Sequence, residues 1–165
     1  MKRIGLISDT HTFINPKLYD FFKNVDEIWH AGDIGNIETL NKLREFKAVK
    51  AVYGNIDGQD IRIEYPKFNI FSCEDVKVLL THVGGYPNRY APGIKDLLIK
   101  HKPKLFICGH SHILKVINDK KLNLLHMNPG AAGNSGLHKH ITMLRFIIDG
   151  KNIKDLEVFE LARNL

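Results

Sequence analysis

Residues 3–35, RIGLISDTHTFINPKLYDFFKNVDEIWHAGDIG, decide the fold. The run RIGLIS is almost continuously apolar and short, which is what a strand buried on both faces requires. Asn15 and Pro16 then open a segment in which Leu18, Phe21, Phe22 and Val25 recur at i, i+3, i+4 and i+7, one face of a helix. DEIWHAG is the next strand. Asn36 can cap a second helix that carries Ile37, Leu40, Leu43 and Phe46, and KAVKAVYG, residues 47–54, follows as a third strand. This βαβαβ order predicts a parallel sheet with right-handed crossovers.

Past Gly58 the rhythm changes. KFNIFSCE and VKVLLTH are separated only by Asp75 and read as a strand pair joined by a tight turn. Ile94, Leu97 and Leu98 mark a helix bounded by Pro92 and Pro103, and KLFICGH is a further strand. The rest is β: ILKVIN, a turn at DKK, LNLLHM, then ITMLRFII and IKDLEVFEL joined at Asp149 and Gly150. The expectation is an α/β protein with a mixed sheet, or with two sheets stacked face to face between helices.

At 165 residues and 44% hydrophobic, the chain is long enough for one full core and short for two, so residues 1–165 are read as a single domain. No apolar run approaches the ~20 residues of a membrane span, and the apolar part of MKRIGLIS is too brief for a signal peptide. A soluble, cytoplasmic protein is expected. Cys73 and Cys108 lie in apolar strand-like runs, as buried free thiols do. The formal charge of +6 is spread along the chain without a basic run or interleaved aromatics, which weighs against nucleic acid as a partner and favours a solvated basic surface. A homo-oligomer is left open.

The chelating residues follow the strands. RIGLIS ends in Asp9 and His11, DEIWHAG in Asp33, KAVKAVYG in Asn55 and Asp57, VKVLLT in His82, and KLFICG in His110 and His112. In α/β sheets, ligands bind outside the carboxyl ends of strands, so five strands are aimed at one place. In an extended segment, positions i and i+2 share a face, so D-x-H and H-x-H can each present two donors to one cavity. His138 and His140 repeat the H-x-H spacing with no apolar run before them, and are expected at the surface. Four imidazoles, two carboxylates and one amide exceed a single tetrahedral zinc site. They suit two divalent ions about 3.5 to 4 Å apart, bridged by a carboxylate and a water. Nitrogen and oxygen donors without thiolate point to Mn first, with Fe, Zn, Co or Ni as alternatives.

SDTH, HAGDIG, YGNID, LLTHVG and CGHSH stand in the order of the calcineurin-like metallophosphoesterase superfamily, and the chain most resembles its small bacterial and archaeal YfcE-type phosphodiesterases. The motifs span Asp9 to His112, and NPG at Asn128 to Gly130 resembles a turn those proteins carry. The resemblance implies a four-layer αββα sandwich of two mixed sheets flanked by helices. It implies Asp9, His11 and His112 on one metal, Asn55, His82 and His110 on the other, and Asp33 between them. His30 matches the family too, in packing or in a hydrogen bond behind the ligands.

Two positions depart from the pattern. Many family phosphatases carry a histidine after the Asn of GN, where this chain has Ile56, and another two residues past the one matching His82, where it has Gly84. General-acid help is worth about 10²- to 10⁴-fold, so its loss favours substrates with good leaving groups. The small members that the chain resembles usually lack the first of these histidines as well and act on diesters, so the resemblance implies a diesterase. The implied reaction is in-line hydrolysis of a small phosphoester by a metal-bridging hydroxide, with Asn55 giving its carbonyl oxygen to a metal and its amide hydrogens to the phosphoryl group. Asp57 would act in catalysis, or orient a ligand histidine or the Asn55 loop. In VGGYPNRYAPGI, residues 83–94, Arg89 could hold a phosphate oxygen, and Tyr86 or Tyr90 could stack on a base or aryl group. The alternative is a non-catalytic scaffold like the retromer subunit of the same superfamily.

Overall fold

The computed structural model describes residues 1–164. Strands β1 (Lys2–Ile7), β2 (Glu27–His30) and β3 (Ala48–Ala51) alternate with helices α1 (Lys17–Phe21) and α2 (Ile37–Phe46). Helix α3 (Gln59–Glu64) leads into β4 (Phe68–Cys73) and β5 (Val76–Thr81). A short pair, β6 (Gly85–Tyr86) and β7 (Arg89–Tyr90), precedes α4 (Ile94–His101) and β8 (Leu105–Ile107). Strands β9 (Leu114–Asp119), β10 (Leu124–Pro129), β11 (His140–Asp149) and β12 (Asn152–Ala162) complete the chain.

Two five-stranded mixed sheets result, in the orders β12-β11-β1-β2-β3 and β4-β5-β8-β10-β9. The pairs β1–β2, β2–β3, β5–β8 and β8–β10 are parallel, and the outer pairs are antiparallel. Consecutive apolar residues explain the layering. Leu6 and Ile7, Ile28 and Trp29, Leu79 and Leu80, and Phe106 and Ile107 are all fully buried, although strand neighbours point to opposite faces. Both faces of each sheet must therefore be covered. Leu6, Trp29, Leu80 and Ile107 meet between the sheets; Ile7 and Ile28 pack with Leu18 and Leu43 of α1 and α2; Leu79 and Phe106 pack with Ile94 and Leu98 of α4. Burying one such side chain contributes about 1.5–3 kcal/mol, so this arrangement of four layers, αββα, is what the apolar pattern stabilises. Cys73 and Cys108 are free and buried, and burial pushes the Cys108 thiol up to about 12.

Three local details differ from the sequence reading. Helix α1 stops at Phe21, four residues before the end of its periodic set, because the Asp26 N–H must reach the Arg3 carbonyl (2.7 Å) to align β2, and turns bring Phe22 and Val25 into the core instead. The turn between β4 and β5 has two residues, Glu74 and Asp75, with Glu74 at φ 50°. Helix α3 went unpredicted because it buries only Ile61 and leaves Ile63 73% exposed, so it shows no apolar face.

Candidate metal centre

The parallel strands end at one edge, and the chain leaves each of them through a pinned loop. Asp9 N–H donates to the Gly32 carbonyl and His11 N–H to that of Asp33, both at 3.0 Å, which ties the loop after β1 to the loop after β2. Gly109 N–H donates to the His82 carbonyl at 2.9 Å and joins the loops after β5 and β8. The side chains converge, but not by the extended geometry expected. Asp9, His11, Asp33, His110 and His112 all have positive φ, between 45° and 70°. Non-glycine residues reach that region at a cost of order 1–3 kcal/mol each, and such residues gather where function requires them. Gly54 has a different reason to be glycine: a Cβ there would fall 2.0 Å from Asp33 Oδ1.

Each carboxylate is divided between support and site. Asp9 Oδ2 accepts from Ser8 Oγ (2.6 Å) and from His110 N–H (3.0 Å), while Oδ1 faces His112 Nε2 at 3.2 Å, His11 Nε2 at 3.8 Å and His82 Nε2 at 3.9 Å. Asp33 Oδ1 accepts from Ile56 N–H (3.1 Å), and its Oδ2 faces His82 Nε2 at 3.2 Å and His11 Nε2 at 3.4 Å. Asp9 Oδ1, His11 Nε2 and His82 Nε2 are buried without a hydrogen-bond partner among the described residues. Buried polar atoms left so are costly unless something pairs with them, and lone pairs converging from oxygen and nitrogen are what a cation pairs with. Two groups of donors have ligand atoms within 4.8 Å of one another: Asp9, His11 and His112, and Asp33, His82 and His110. Asn55 Oδ1 lies 3.1 Å from His110 Nδ1, at the second group.

The electrostatics agree. Burial pushes the Asp9 carboxyl up, but the imidazoles of His11 and His112 and the Ser8 hydroxyl outweigh it and hold Asp9 well below the usual carboxylate range. Asp33 is likewise raised by burial and lowered further by His82. His82 Nδ1 donates to the Ala31 carbonyl at 2.7 Å, which turns Nε2 toward the site as the nitrogen free to take a proton or a cation.

A calcineurin-like phosphoesterase superfamily domain matches residues 1–151. The chain belongs to that superfamily. A probable metallophosphoesterase of Methanothermobacter thermautotrophicus is 32% identical over 135 residues, 78% of this chain and 76% of the relative. Among solved structures, wild-type Vps29 of Entamoeba histolytica complexed with Zn²⁺ superposes with a TM-score of 0.75 at 16% identity, covering 97% of this chain and 98% of that one. A predicted phosphoesterase of Streptococcus pneumoniae superposes with a TM-score of 0.70 at 21% identity, covering 98% of each chain. The family implies divalent metals, and the two donor groups give this phosphoesterase domain places for them.

The structure brings all seven expected donors together. Asp57 stands apart from them: its carboxylate accepts the N–H groups of Ile34 (3.2 Å), Gly35 (2.9 Å) and Gly54 (2.8 Å), so it clamps the Asp33 loop to the Asn55 loop. His30 is enclosed, with Nε2 on Thr10 Oγ1 (2.9 Å) and Nδ1 accepting from Gly32 N–H (3.1 Å); burial takes its pKa down to about 4. Tyr90 donates its hydroxyl to Asp119 at 2.5 Å and packs on Phe106; Tyr86 lies under Lys115 Nζ, and Arg89 is exposed. None of these three lines the cavity beside Asn55 and His82.

His140 is exposed near Glu160, as expected. His138 is not at the open surface: its Nδ1 lies 3.2 Å from His112 Nδ1, with the rings edge to face, and its Nε2 lies 2.8 Å from the Gly133 carbonyl. Sequence spacing could not show this, because Arg163 folds the intervening loop back over the site through the carbonyls of Asn134, Gly136 and His138. Burial, with Arg163 nearby, lowers the pKa of His138 and so favours the neutral ring.

Proposed function

We propose that this protein is a metal-dependent phosphodiesterase of the cytoplasm acting on a small phosphoester. One cation is held by Asp9, His11 and His112, a second by Asn55, His82 and His110, with Asp33 between them. The observation that carries this reading is the set of buried, unpartnered atoms, Asp9 Oδ1, His11 Nε2 and His82 Nε2, facing one another across the ends of separate strands. Bound divalent ions supply acidified water and positive charge for the phosphoryl oxygens, and the N/O donor set suits Mn, Fe, Zn, Co or Ni.

The chain's own groups do the rest. Asn55 carries amide hydrogens that can donate to a phosphoryl oxygen while its carbonyl faces the second donor group. Asp33 and Asp9, kept ionised by their surroundings, offset part of the charge of two divalent ions and would leave about +2, a net pull on an anionic substrate. Ile56, 46% exposed, occupies the place where a proton donor would stand, which favours substrates whose leaving group departs without one.

A diester needs room for a second organic substituent. A cavity of about 410 Å³ adjoins Asn55 and His82 and is walled by Tyr53, Phe68, Val83, Pro92 and Ile94, with Lys67 also lining it. That is the size and character of a small-molecule pocket and fits an apolar or aromatic ester group. With Mn²⁺, purified protein is expected to hydrolyse bis-p-nitrophenyl phosphate, whose p-nitrophenolate departs without a proton, and to do so faster than the monoester p-nitrophenyl phosphate, which has no second organic substituent to fill the cavity. Protein shown to hold metal, yet inactive with each of Mn, Ni, Co, Fe and Zn, would instead be a non-catalytic scaffold on this fold.

A further inference from the structure

The loop from Gly130 to Lys139, between β10 and β11, folds over one side of the donor cluster. Gly133 N–H anchors its start to the Asp9 carbonyl at 3.1 Å. Arg163, just past β12, anchors its far part: Nη1 donates to the carbonyls of Gly136 (3.0 Å) and His138 (2.5 Å), and Nη2 to that of Asn134. Gly136, at φ +122°, lies so close to His112 that a Cβ would come within 2.7 Å of His112 Nδ1. Held in this way, His138 has one ring nitrogen on a carbonyl and the other on His112.

A carbonyl oxygen only accepts, so the 2.8 Å contact with Gly133 requires the proton of His138 to sit on Nε2. In the neutral ring Nδ1 is then an acceptor, and its partner at 3.2 Å is Nδ1 of His112. His112 must donate, so its Nδ1 carries a proton whether the ring is neutral or charged, and Nε2, 3.2 Å from Asp9 Oδ1, is the nitrogen left for a cation. His82 is oriented in the same way, by donating Nδ1–H directly to the Ala31 carbonyl at 2.7 Å. For His112 the carbonyl acts through a second imidazole.

We propose that His138 is a positioning residue, which fixes the tautomer and orientation of His112 for the cation site of Asp9, His11 and His112, and that Arg163 holds His138 in place to do so. The inference rests on the two-cation reading above. Partners behind a metal-bound histidine typically carry about 10- to 100-fold of metal affinity, because they hold the proton off the ligating nitrogen and fix the ring.

The test uses the full chain with ¹⁵N-labelled histidine and calorimetric titration with Mn²⁺ and Zn²⁺. In the metal-free wild type, His112 is expected as a single tautomer protonated on Nδ1. H138A should give His112 mixed tautomers and weaken binding at one of two sites about 10- to 100-fold, with the other site unchanged. H138Q should restore both readouts, since a carboxamide can donate to the Gly133 carbonyl and accept from His112. R163A should reproduce the H138A effect in weaker form. H138A with His112 still in one tautomer and both affinities unchanged overturns the proposal. So does H138Q binding metal as poorly as H138A at an unchanged thermal midpoint, which would make His138 a space-filling residue. Metal-loaded wild type without turnover would defeat the phosphodiesterase reading and leave these readouts standing, and the tautomer measurement needs no metal.

Discussion

Asp33 Oδ2 lies 3.2 Å from His82 Nε2, two buried atoms that belong to different sheets and are brought together only where β2 and β5 end. Neither sheet alone contains the site. Asp33 also faces His11, so a single carboxylate oxygen addresses both donor groups. Asp33→Asn replaces a charged oxygen there with a neutral group and is expected to lower affinity at both sites by more than about 100-fold, the upper range for partners behind a ligand. Metal content after gel filtration, measured together with turnover, checks this. Two ions retained per chain would show that Asp33 does not lie between them.

Asp57 is a clamp made of backbone bonds, so its loss should register as stability before it registers as chemistry. Asp57→Asn keeps one acceptor oxygen and turns an amide donor toward N–H groups of Ile34, Gly35 or Gly54. Hydrogen bonds to a charged group contribute about 1.5–3 kcal/mol, and urea unfolding of the metal-free variant should show a loss of that order. A midpoint equal to wild type would mean that the two loops are held together by other contacts.

His126 is fully buried on β10 between Phe106 and Tyr86, and neither ring nitrogen has a partner among the described residues. Burial, with Lys115 adding to it, takes its pKa down to about 4. Between pH 6.5 and 4 the unfolded chain takes up a proton here that the native state refuses, so the stability present above 6.5 is lost as pH falls to 4. The window is worth about 3 kcal/mol at 1.36 kcal/mol per unit. His126→Leu should remove that much of the acid sensitivity of metal-free protein while leaving the fold intact. His30 acts in the same direction, so the variant flattens the profile without abolishing the slope. An unchanged slope in urea titrations at several pH values would count against a neutral, buried His126.

The parts of the structure legible in the sequence were those set by local chemistry. Pairs such as Leu79 and Leu80 reveal a sheet covered on both faces, and chelating residues after apolar runs reveal where those strands point. What stayed hidden depends on backbone and tertiary context. The left-handed φ of Asp9, His11, Asp33, His110 and His112 has no signature in residue type, since none is glycine. Their convergence was therefore anticipated for the wrong local reason. His138 was assigned to the surface because its partner is 26 positions away and its loop is held by Arg163, near the other end of the chain. Tyr90 faces Asp119 through a contact 29 residues long that no spacing rule anticipates.

Proton release should accompany metal binding, with a sign fixed by the site. The Asp9 carboxylate beside His11 raises the pKa of that imidazole more than burial lowers it. Burial pulls the His82 pKa down, but Asp33 and Asp9 prevail and raise it above its ordinary value. In metal-free protein these rings therefore hold protons to higher pH than free histidine does, and the stability their charged pairs contribute is full below about pH 6.5 and fades as pH rises through the raised values. A cation needs the bare nitrogens, so it must displace those protons. Titration calorimetry in two buffers of different ionisation enthalpy should find more protons released per metal near pH 6.5 than near pH 8.5, and apparent affinity should climb across the same interval. Binding with no proton release at the lower pH would mean that His11 and His82 are already bare in the free protein, and that the carboxylates facing them do less than their distances imply.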